Sequence, residues 1–208
     1  MEYNLDCFVT SLLDVGANQG HFSTSFKERY KVNEVVCVEP NPEWKQQLDV
    51  LGFETHSVGA SSTNEEKTFF VNSTNTGSTG NSFYLEQTIH FKHVTELKIN
   101  VVRLDDYFYG RTFDFIKIDT QGSEFDAIVG GSEIIKRCKY LLIEVPFFPF
   151  NKGAKLASDL IPLITSLGLK PVSFPEFHFA ERAHFDNLFS DKMNEKFITH
   201  MDILWKNF

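Results

Sequence analysis

A short acidic and glycine-containing segment near the start of the sequence has the residue types and spacing of a ligand site. Residues 13–20 (LDVGANQG) pass from an apolar stretch through Asp14 into a turn that contains Gly16 and Gly20. Glycine lets the backbone come close to a ligand and enter a helix tightly. After a buried strand, such a turn lies where ligands bind in a parallel sheet. Asp14 would repel a phosphate and attract a cationic group.

A second acid, Glu39, follows the next apolar stretch in residues 38–42 (VEPNP). A carboxylate at that strand end can accept hydrogen bonds from both hydroxyls of a ribose. The dinucleotide fingerprint needs glycine where this chain has Asn18, which disfavours a nicotinamide-dependent oxidoreductase. Either acid alone would be an ordinary polar strand end. Together, Asp14 and Glu39 predict a site for a cationic adenosine compound.

A third group of polar residues lies in later apolar stretches, at Lys117, Asp119 and Glu144. Lys117 and Asp119 are two residues apart, so they lie on one side of the same strand. A lysine in a buried strand needs a partner. Two interpretations stay open: a structural ion-pair network, or catalytic groups with Asp119 orienting or deprotonating an acceptor hydroxyl.

Several other features carry weaker signals. His21 follows the glycine turn, and packing explains it more simply than function does. His90 and His93 are three residues apart with no cysteine or fixed carboxylate nearby, so no metal site is predicted. Residues 72–82 are polar and predict a loop, either solvated or closing over a site. The phenylalanines of 147–150 and 174–179 are too dense for one buried face, and core, pocket wall and subunit interface all remain open.

The elements that would position these residues follow from the apolar pattern. Strands are predicted at 8–15, 35–38, 53–58, 67–71, 113–118, 140–145, 172–174 and 198–205. Helices are predicted after Gly20, after an Asn41 cap, from about Ser123 with a break at Gly130-Gly131, and over 158–167. Residues 83–98 show no clear period. Strands that alternate with helices predict a parallel sheet with helices on both faces.

Composition limits the class of protein. A chain of 208 residues with 42% hydrophobic and 23% charged residues predicts one globular domain over 1–208. The formal charge of -8 opposes a nucleic acid as the main partner, although a local basic patch stays compatible with it. No apolar run reaches the ~20 residues of a membrane span. Three cysteines and an acidic start predict a reducing, cytoplasmic location without an export signal.

The motifs together resemble those of the FkbM-type S-adenosylmethionine (SAM)-dependent methyltransferases. In addition to residues 13–20 and 38–42, the matching segments are 102–107 (VRLDDY), 114–124 (DFIKIDTQGSE) with Gly130-Gly131, 142–145 (LIEV) and 201–205 (MDILW). The 114–124 segment is the most specific of them. Gln121 departs from the family, which usually has glutamate there, and the chain begins at its first strand without the N-terminal helices common in relatives.

The resemblance implies a Rossmann-like α/β/α sandwich with a mostly parallel seven-stranded sheet whose last strand is antiparallel. It implies SAM as cofactor, with the Asp14–Gly20 turn, including Gly16 and Asn18, holding its methionyl part. Glu39 would hold the ribose, and Asn41 with Gly59 and Ala60 would lie near the adenine.

The resemblance also implies O-methylation of a sugar, glycan or small metabolite by a monomer or homodimer. Two alternatives share the fold: a ribose 2′-O-methyltransferase acting on RNA, and a SAM-fold binding protein without catalysis. The negative net charge opposes the RNA methyltransferase. The presence of Asp14, Glu39, Gly16 and Gly20 opposes a binding protein without catalysis.

Overall fold

A seven-stranded sheet forms the centre of the protein in a computed structural model that describes residues 3–75, 78–181 and 196–208. Its strands are β1 (Ser11–Val15), β2 (Glu34–Val38), β3 (Glu54–His56), β7 (Phe115–Ile118), β8 (Tyr140–Pro146), β9 (Lys170–Glu181) and β10 (Lys196–Lys206), and β4 to β6 form a second sheet described below. Their order across the sheet is β3-β2-β1-β7-β8-β10-β9. The first five strands of the sheet are parallel, and β10 is antiparallel to both of its neighbours.

Helices cover both faces of this sheet. They are α1 (His21–Tyr30), α2 (Lys45–Val50), α3 (Leu104–Tyr107), α4 (Glu124–Gly130), α5 (Ser132–Lys136) and α6 (Ala157–Ser166). Neighbouring strand residues point to opposite faces, so Leu12 packs in one core with Phe26 and Leu13 in the other with Ile128. Burial on both faces explains why the central strands read as continuous apolar runs. The predicted three-layer sandwich is confirmed.

A second, three-stranded sheet was only partly predicted. Its order is β4-β6-β5, from β4 (Gly59–Ala60), β5 (Glu65–Asn72) and β6 (Val94–Val102). The β6 strand is missing from the prediction for 83–98, which found no period there. Residues 96–101 do alternate between polar and apolar types, but the alternation begins late in that window and continues past it.

Most other predicted elements are confirmed with shifted ends. The first strand begins at Ser11 rather than residue 8, and Phe8 is 92% exposed. The Asn41 cap is confirmed, because its side chain accepts the Glu43 N–H, although it opens a short 3-10 turn before α2. Gly130 and Gly131 separate α4 from α5 as predicted. Strand β9 extends well beyond its predicted 172–174, because it pairs with β10 as an antiparallel ribbon, whereas β10 is close to its predicted bounds.

In the described ranges, no helix combines the length and apolar character that crossing a membrane requires.

The aspartate of segment 102–107 has a structural role. Asp105 in α3 accepts the backbone N–H groups of Glu133 at 3.1 Å and Ile134 at 2.9 Å, at the start of α5. These N–H groups have no partner inside their own helix, so a side-chain acceptor stabilises the helix end. Asp105 therefore joins two helices of one layer.

We predict that Asp105→Ala lowers the free energy of unfolding by about 1–2 kcal/mol, the usual cost of a lost helix cap. Chemical denaturation measures it. Asp106→Ala is the matched control, because Asp106 is the neighbouring, exposed acid and pairs only at the surface with Arg103 and Asn64. Equal losses in the two variants would contradict the capping role.

Candidate functional site

A cavity of about 320 Å³ opens at the carboxyl ends of the central strands. The predicted site residues in its wall are Gly16, Asn18, Glu39, Gly59, Ala60, Lys117, Asp119 and Glu144. Tyr3, Phe22 and Leu142 add apolar surface. A cavity of this size, mostly apolar with a few convergent polar groups, is the usual form of a small-molecule site. We call it the first cavity.

Close contact between the turn and the backbone after β7 requires glycine at position 16. Gly16 has a φ of +83°, and a Cβ there would lie 1.9 Å from the Asp119 carbonyl oxygen. Any side chain at this position would therefore push the turn away from β7. Gly20 starts α1 in the left-handed region at φ +79°, with a virtual Cβ 2.7 Å from the Leu48 side chain. Gly20 thus packs α1 against α2, as its predicted tight entry into the helix requires.

Glu39 faces the first cavity from the end of β2, and both of its oxygens bind backbone groups. Oε2 accepts the Asn18 N–H at 2.7 Å and Oε1 accepts the Asn41 N–H at 2.8 Å. Burial, only partly offset by these bonds, raises the pKa of Glu39 to about 7. The acid therefore links the glycine turn to the neighbouring strand end. Each oxygen keeps further acceptor capacity beside the cavity.

A mostly buried lysine in the wall of the first cavity connects two acids. Lys117 Nζ lies 3.1 Å from Asp119 Oδ2 and 3.5 Å from Asp14 Oδ1. Its ammonium also lies 5.1 Å from the centre of the Phe22 ring. Burial alone would lower the pKa of Lys117, but Asp119 and Asp14 outweigh it and raise that pKa above its ordinary value. The lysine is therefore a fixed positive charge.

Asp119 is the member of this network that the cavity exposes, with a third of its side chain accessible. Burial favours its neutral form, but Lys117 and the Gln121 amide outweigh burial and hold the pKa of Asp119 below its ordinary 3.8. An ion pair thus joins Lys117 and Asp119, whereas Glu144 pairs with His200, and a catalytic role for these groups stays a prediction. Asp119 remains an ionised acid at the cavity surface.

Asp14 lies behind the wall rather than on it. Its side chain is fully buried, Ser23 Oγ donates to its Oδ2 at 2.7 Å, and it is not among the lining residues. Asp14 therefore anchors Lys117 from behind the wall, and its contact with a cationic ligand stays a prediction. Asn41 is also outside the lining, fully occupied in its cap except for Nδ2, which has no hydrogen-bond partner among the described residues.

Gln121 separates two carboxylates that would otherwise repel each other. Its Nε2 donates to Asp119 Oδ1 at 2.7 Å and to Glu144 Oε2 at 2.8 Å. Even so, burial and the charges of Asp119 and Glu124 raise the pKa of Glu144 well above its ordinary value. The residue that departs from the family pattern is therefore a neutral donor at the centre of an acidic site.

The loop that presents Asp119 and Gln121 is held by Glu124. This side chain is almost fully buried, and it accepts the N–H groups of Thr120 at 2.8 Å and Gly122 at 2.9 Å. Its direct bonds shape the loop, which explains an acid at this position of the motif.

A larger cavity of about 760 Å³ adjoins the first, and Thr79, Gln121 and His178 line both. We call it the second cavity. Its wall includes Asn72, Ser78, Glu86, His90, Phe150 and His200. Phe177 and Phe179 of the dense phenylalanine stretch also line it, whereas Phe174 is half exposed. Residues 78–81 of the predicted loop lie over the two cavities, and 76–77 are outside the described residues.

The sequence prediction missed the polar residues of the β9–β10 ribbon. His178 and His200 lie near Glu144, and Glu176 and Asp202 lie near His178. Burial and the charge of Asp119 raise the pKa of Asp202 to about 7, whereas burial and His178 lower the pKa of His200 to about 4. For Glu176 and His178, alternation with the phenylalanines of 174–179 was the available signal. His21 lies on the wall of the first cavity.

The strand order, with a ligand cavity at the carboxyl ends of β1, β2 and β7, places the domain in the Rossmann-like methyltransferase fold class. The chain belongs to the FkbM methyltransferase family. The model of the Methyltransferase FkbM domain matches residues 14–171, which include every predicted site residue.

Solved structures support the fold at low sequence identity. Methyltransferase FkbM from Methylobacillus flagellatus KT is 19% identical with a TM-score of 0.54, over 96% of this chain and 45% of that one. The chain therefore spans less than half of that protein. The YcgJ protein from Bacillus subtilis is 11% identical with a TM-score of 0.54, over 97% of this chain and 94% of that one. A search of curated protein sequences found no significant match.

We predict that Lys117→Met lowers the free energy of unfolding by roughly 3–5 kcal/mol at neutral pH, because it leaves the buried Asp14 and the partly exposed Asp119 without their cation. Lys117 lowers the pKa of Asp119, so this stabilisation is present above pH 3.8 and is lost as pH falls through the folded-state pKa. The deficit of the variant should therefore shrink in acid.

Denaturation of both proteins at neutral and acid pH measures the deficit. Lys139→Met is the control, because Lys139 forms an exposed pair with Asp114 at 2.8 Å and should cost less than about 1 kcal/mol. A deficit for Lys117→Met as small as the control's, or one that grows in acid, would contradict the proposed pairing.

Proposed function

We propose that this domain binds SAM in the first cavity and methylates a hydroxyl oxygen of a sugar, glycan or small metabolite. The observation that carries the proposal is the joint placement of Glu39, the Gly16 turn and Asp119 around one cavity in a domain of the FkbM family. When bound, SAM would supply an electrophilic methyl group on a sulfonium. The residues of the chain would bind SAM, orient the acceptor and accept the proton of its hydroxyl group.

The residues of the first cavity fit an adenosine cofactor. Glu39 has an unused acceptor site on each oxygen, which suits the two adjacent hydroxyls of a ribose. Gly59 and Ala60 line the first cavity beside Phe69 and Phe83. Together they form an apolar surface suited to an adenine ring. The acidic character of the site also suits a cationic sulfonium better than a pyrophosphate.

Asp119 is the group we assign to the acceptor. It is ionised, reaches the first cavity, and has its orientation fixed by Lys117 and Gln121. An ionised carboxylate so held can orient a hydroxyl and accept its proton during methyl transfer. Lys117 and Glu144 support it: Lys117 sets its charge, and Glu144 shares the Gln121 amide.

The second cavity is where we place the acceptor. It adjoins the first through Gln121 and His178, and its wall combines amides and hydroxyls with phenylalanine rings. Hydrogen-bonding groups interleaved with aromatic faces suit a polyhydroxylated ligand. The formal charge of -8 favours such an acceptor over RNA.

Cytoplasmic location and a monomeric or homodimeric state remain predictions. The buried thiols of Cys37 and Cys138 are in keeping with a reducing compartment.

We predict that Glu39→Ala weakens SAM binding at least tenfold, about 1.4 kcal/mol, because the ribose hydroxyls lose their acceptors. Isothermal titration with SAM and with its demethylated product measures this. Glu43→Ala is the matched control, an exposed acid four residues further along the chain. If wild-type protein binds NAD and neither SAM nor its product, the proposal fails at its first step.

We predict that Asp119→Asn lowers turnover at least about 100-fold, the usual range for a lost general base, while SAM affinity stays within a few-fold. The demethylated product formed with a panel of sugars, glycans, metabolites and RNA reports turnover. Asp106→Asn, at an exposed acid, should leave turnover unchanged. Full activity in Asp119→Asn would remove Asp119 from the chemistry, and RNA as the sole acceptor would replace the proposed acceptor class.

A further inference from the structure

Three strands bring two histidines and a glutamate together between the two cavities. Glu144 lies on β8, His200 on β10 and His178 on β9. One potential ligand atom from each, an imidazole nitrogen or a carboxylate oxygen, lies within 4.8 Å of the other two. We call these residues the Glu144–His178–His200 triad.

The sheet register produces this arrangement. His200 pairs with His178 across β9 and β10, and their rings stack with centres 4.2 Å apart. On the other side, β10 pairs with β8, and His200 Nε2 lies 3.1 Å from Glu144 Oε1. The triad therefore lies on regular strands rather than on a loop.

Surrounding groups orient the triad as outer-shell residues orient metal ligands. The Thr199 hydroxyl donates to the His178 carbonyl oxygen at 3.3 Å, which leaves its oxygen to accept from His200 Nδ1 at 3.1 Å. This pattern assigns the proton to Nδ1 and presents the lone pair of Nε2 towards Glu144. Gln121 binds the other Glu144 oxygen.

We propose that the Glu144–His178–His200 triad binds one divalent first-row transition metal ion at the boundary between the two cavities. Two imidazoles and one carboxylate suit such an ion better than Mg²⁺, which prefers oxygen ligands throughout. Glu144 and His178 line the first cavity, and His178 and His200 line the second. Coordination positions not taken by the triad therefore face space that a ligand can enter.

This position gives the ion a role that rests on the proposed function. A hydroxyl oxygen of an acceptor in the second cavity can complete the coordination of an ion held by the triad. Coordination to a divalent cation lowers the pKa of a bound hydroxyl and so assists its deprotonation. The ion binding itself needs neither SAM nor an acceptor, so it is tested independently.

Zinc titration is the direct test. The protein is stripped with a chelator, and Zn²⁺ alone is titrated by calorimetry in a Cys7→Ser background, because Cys7 is an exposed thiol. We expect one Zn²⁺ per chain, and no displacement by a tenfold excess of Mg²⁺. His178→Ala and Glu144→Gln should each weaken Zn²⁺ binding at least about tenfold. His178 is the safer variant for folding, because a third of its side chain is exposed.

His90→Ala is the matched control, since His90 lines the second cavity outside the triad, and its Zn²⁺ affinity should match wild type. Absence of stoichiometric Zn²⁺ binding, or unchanged affinity in folded His178→Ala and Glu144→Gln, would overturn the proposal. Glu176, His178 and Asp202 form an overlapping group. Loss of binding in Asp202→Asn with retention in Glu144→Gln would assign the ion to that group and overturn the triad.

Loss of the proposed function would look different. Zn²⁺ binding by the triad without any SAM binding would leave the metal site standing and remove the methyltransferase proposal. SAM binding without Zn²⁺ binding would remove the metal site and leave the methyltransferase proposal standing.

Discussion

The site depends on the ion pairs that the buried ammonium of Lys117 forms with Asp14 and Asp119. This ammonium lies in the middle of a parallel sheet, where an unpaired charge would be prohibitively costly, and it is tolerated because Asp14 and Asp119 approach it from two strands. Strands β1 and β7 are neighbours, and their register places Asp14 opposite Lys117, which allows the ion pair to form. The contact with Lys117 keeps Asp119 ionised and fixes its position at the cavity surface. One lysine thereby connects the stability of the sheet to the charge of the site.

Around Lys117 and its two partners, the site contains more carboxyl groups than cations. Glu39, Asp119, Glu144, Glu176 and Asp202 all line the first cavity. The Gln121 amide separates Asp119 from Glu144, and burial raises the pKa of Glu39 and Asp202 to about 7. The acidic groups of this cavity favour a cationic ligand over a phosphate. The -8 charge of the whole chain acts in the same direction.

The parts of the site that local sequence predicted share one property: each follows a buried strand within a few residues. The Gly16 turn, Glu39 and Asp119 could be placed because carboxyl ends of parallel strands meet at one edge of a sheet. Prediction failed where partners come from distant segments. Asp14 and Asp119 were both recognised as acids, but only the folded sheet shows that Asp14 faces Lys117 and is withdrawn from the cavity wall. His178 lies within a stretch whose phenylalanines dominated the pattern, and only the pairing of β9 with β10 brings His200 beside it.

By itself, the sequence determined the alternation of strands and helices, the glycine turn, the acid after the second strand and membership of the FkbM family, because these depend on residues near one another in the chain. Tertiary structure alone decided which acid reaches the cavity, which donor lies between Asp119 and Glu144, and which histidines meet. Those outcomes depend on strand register across segments separated by tens of residues. A shift of one residue in a strand turns every side chain to the opposite face, so pairing, rather than local pattern, decides the chemistry.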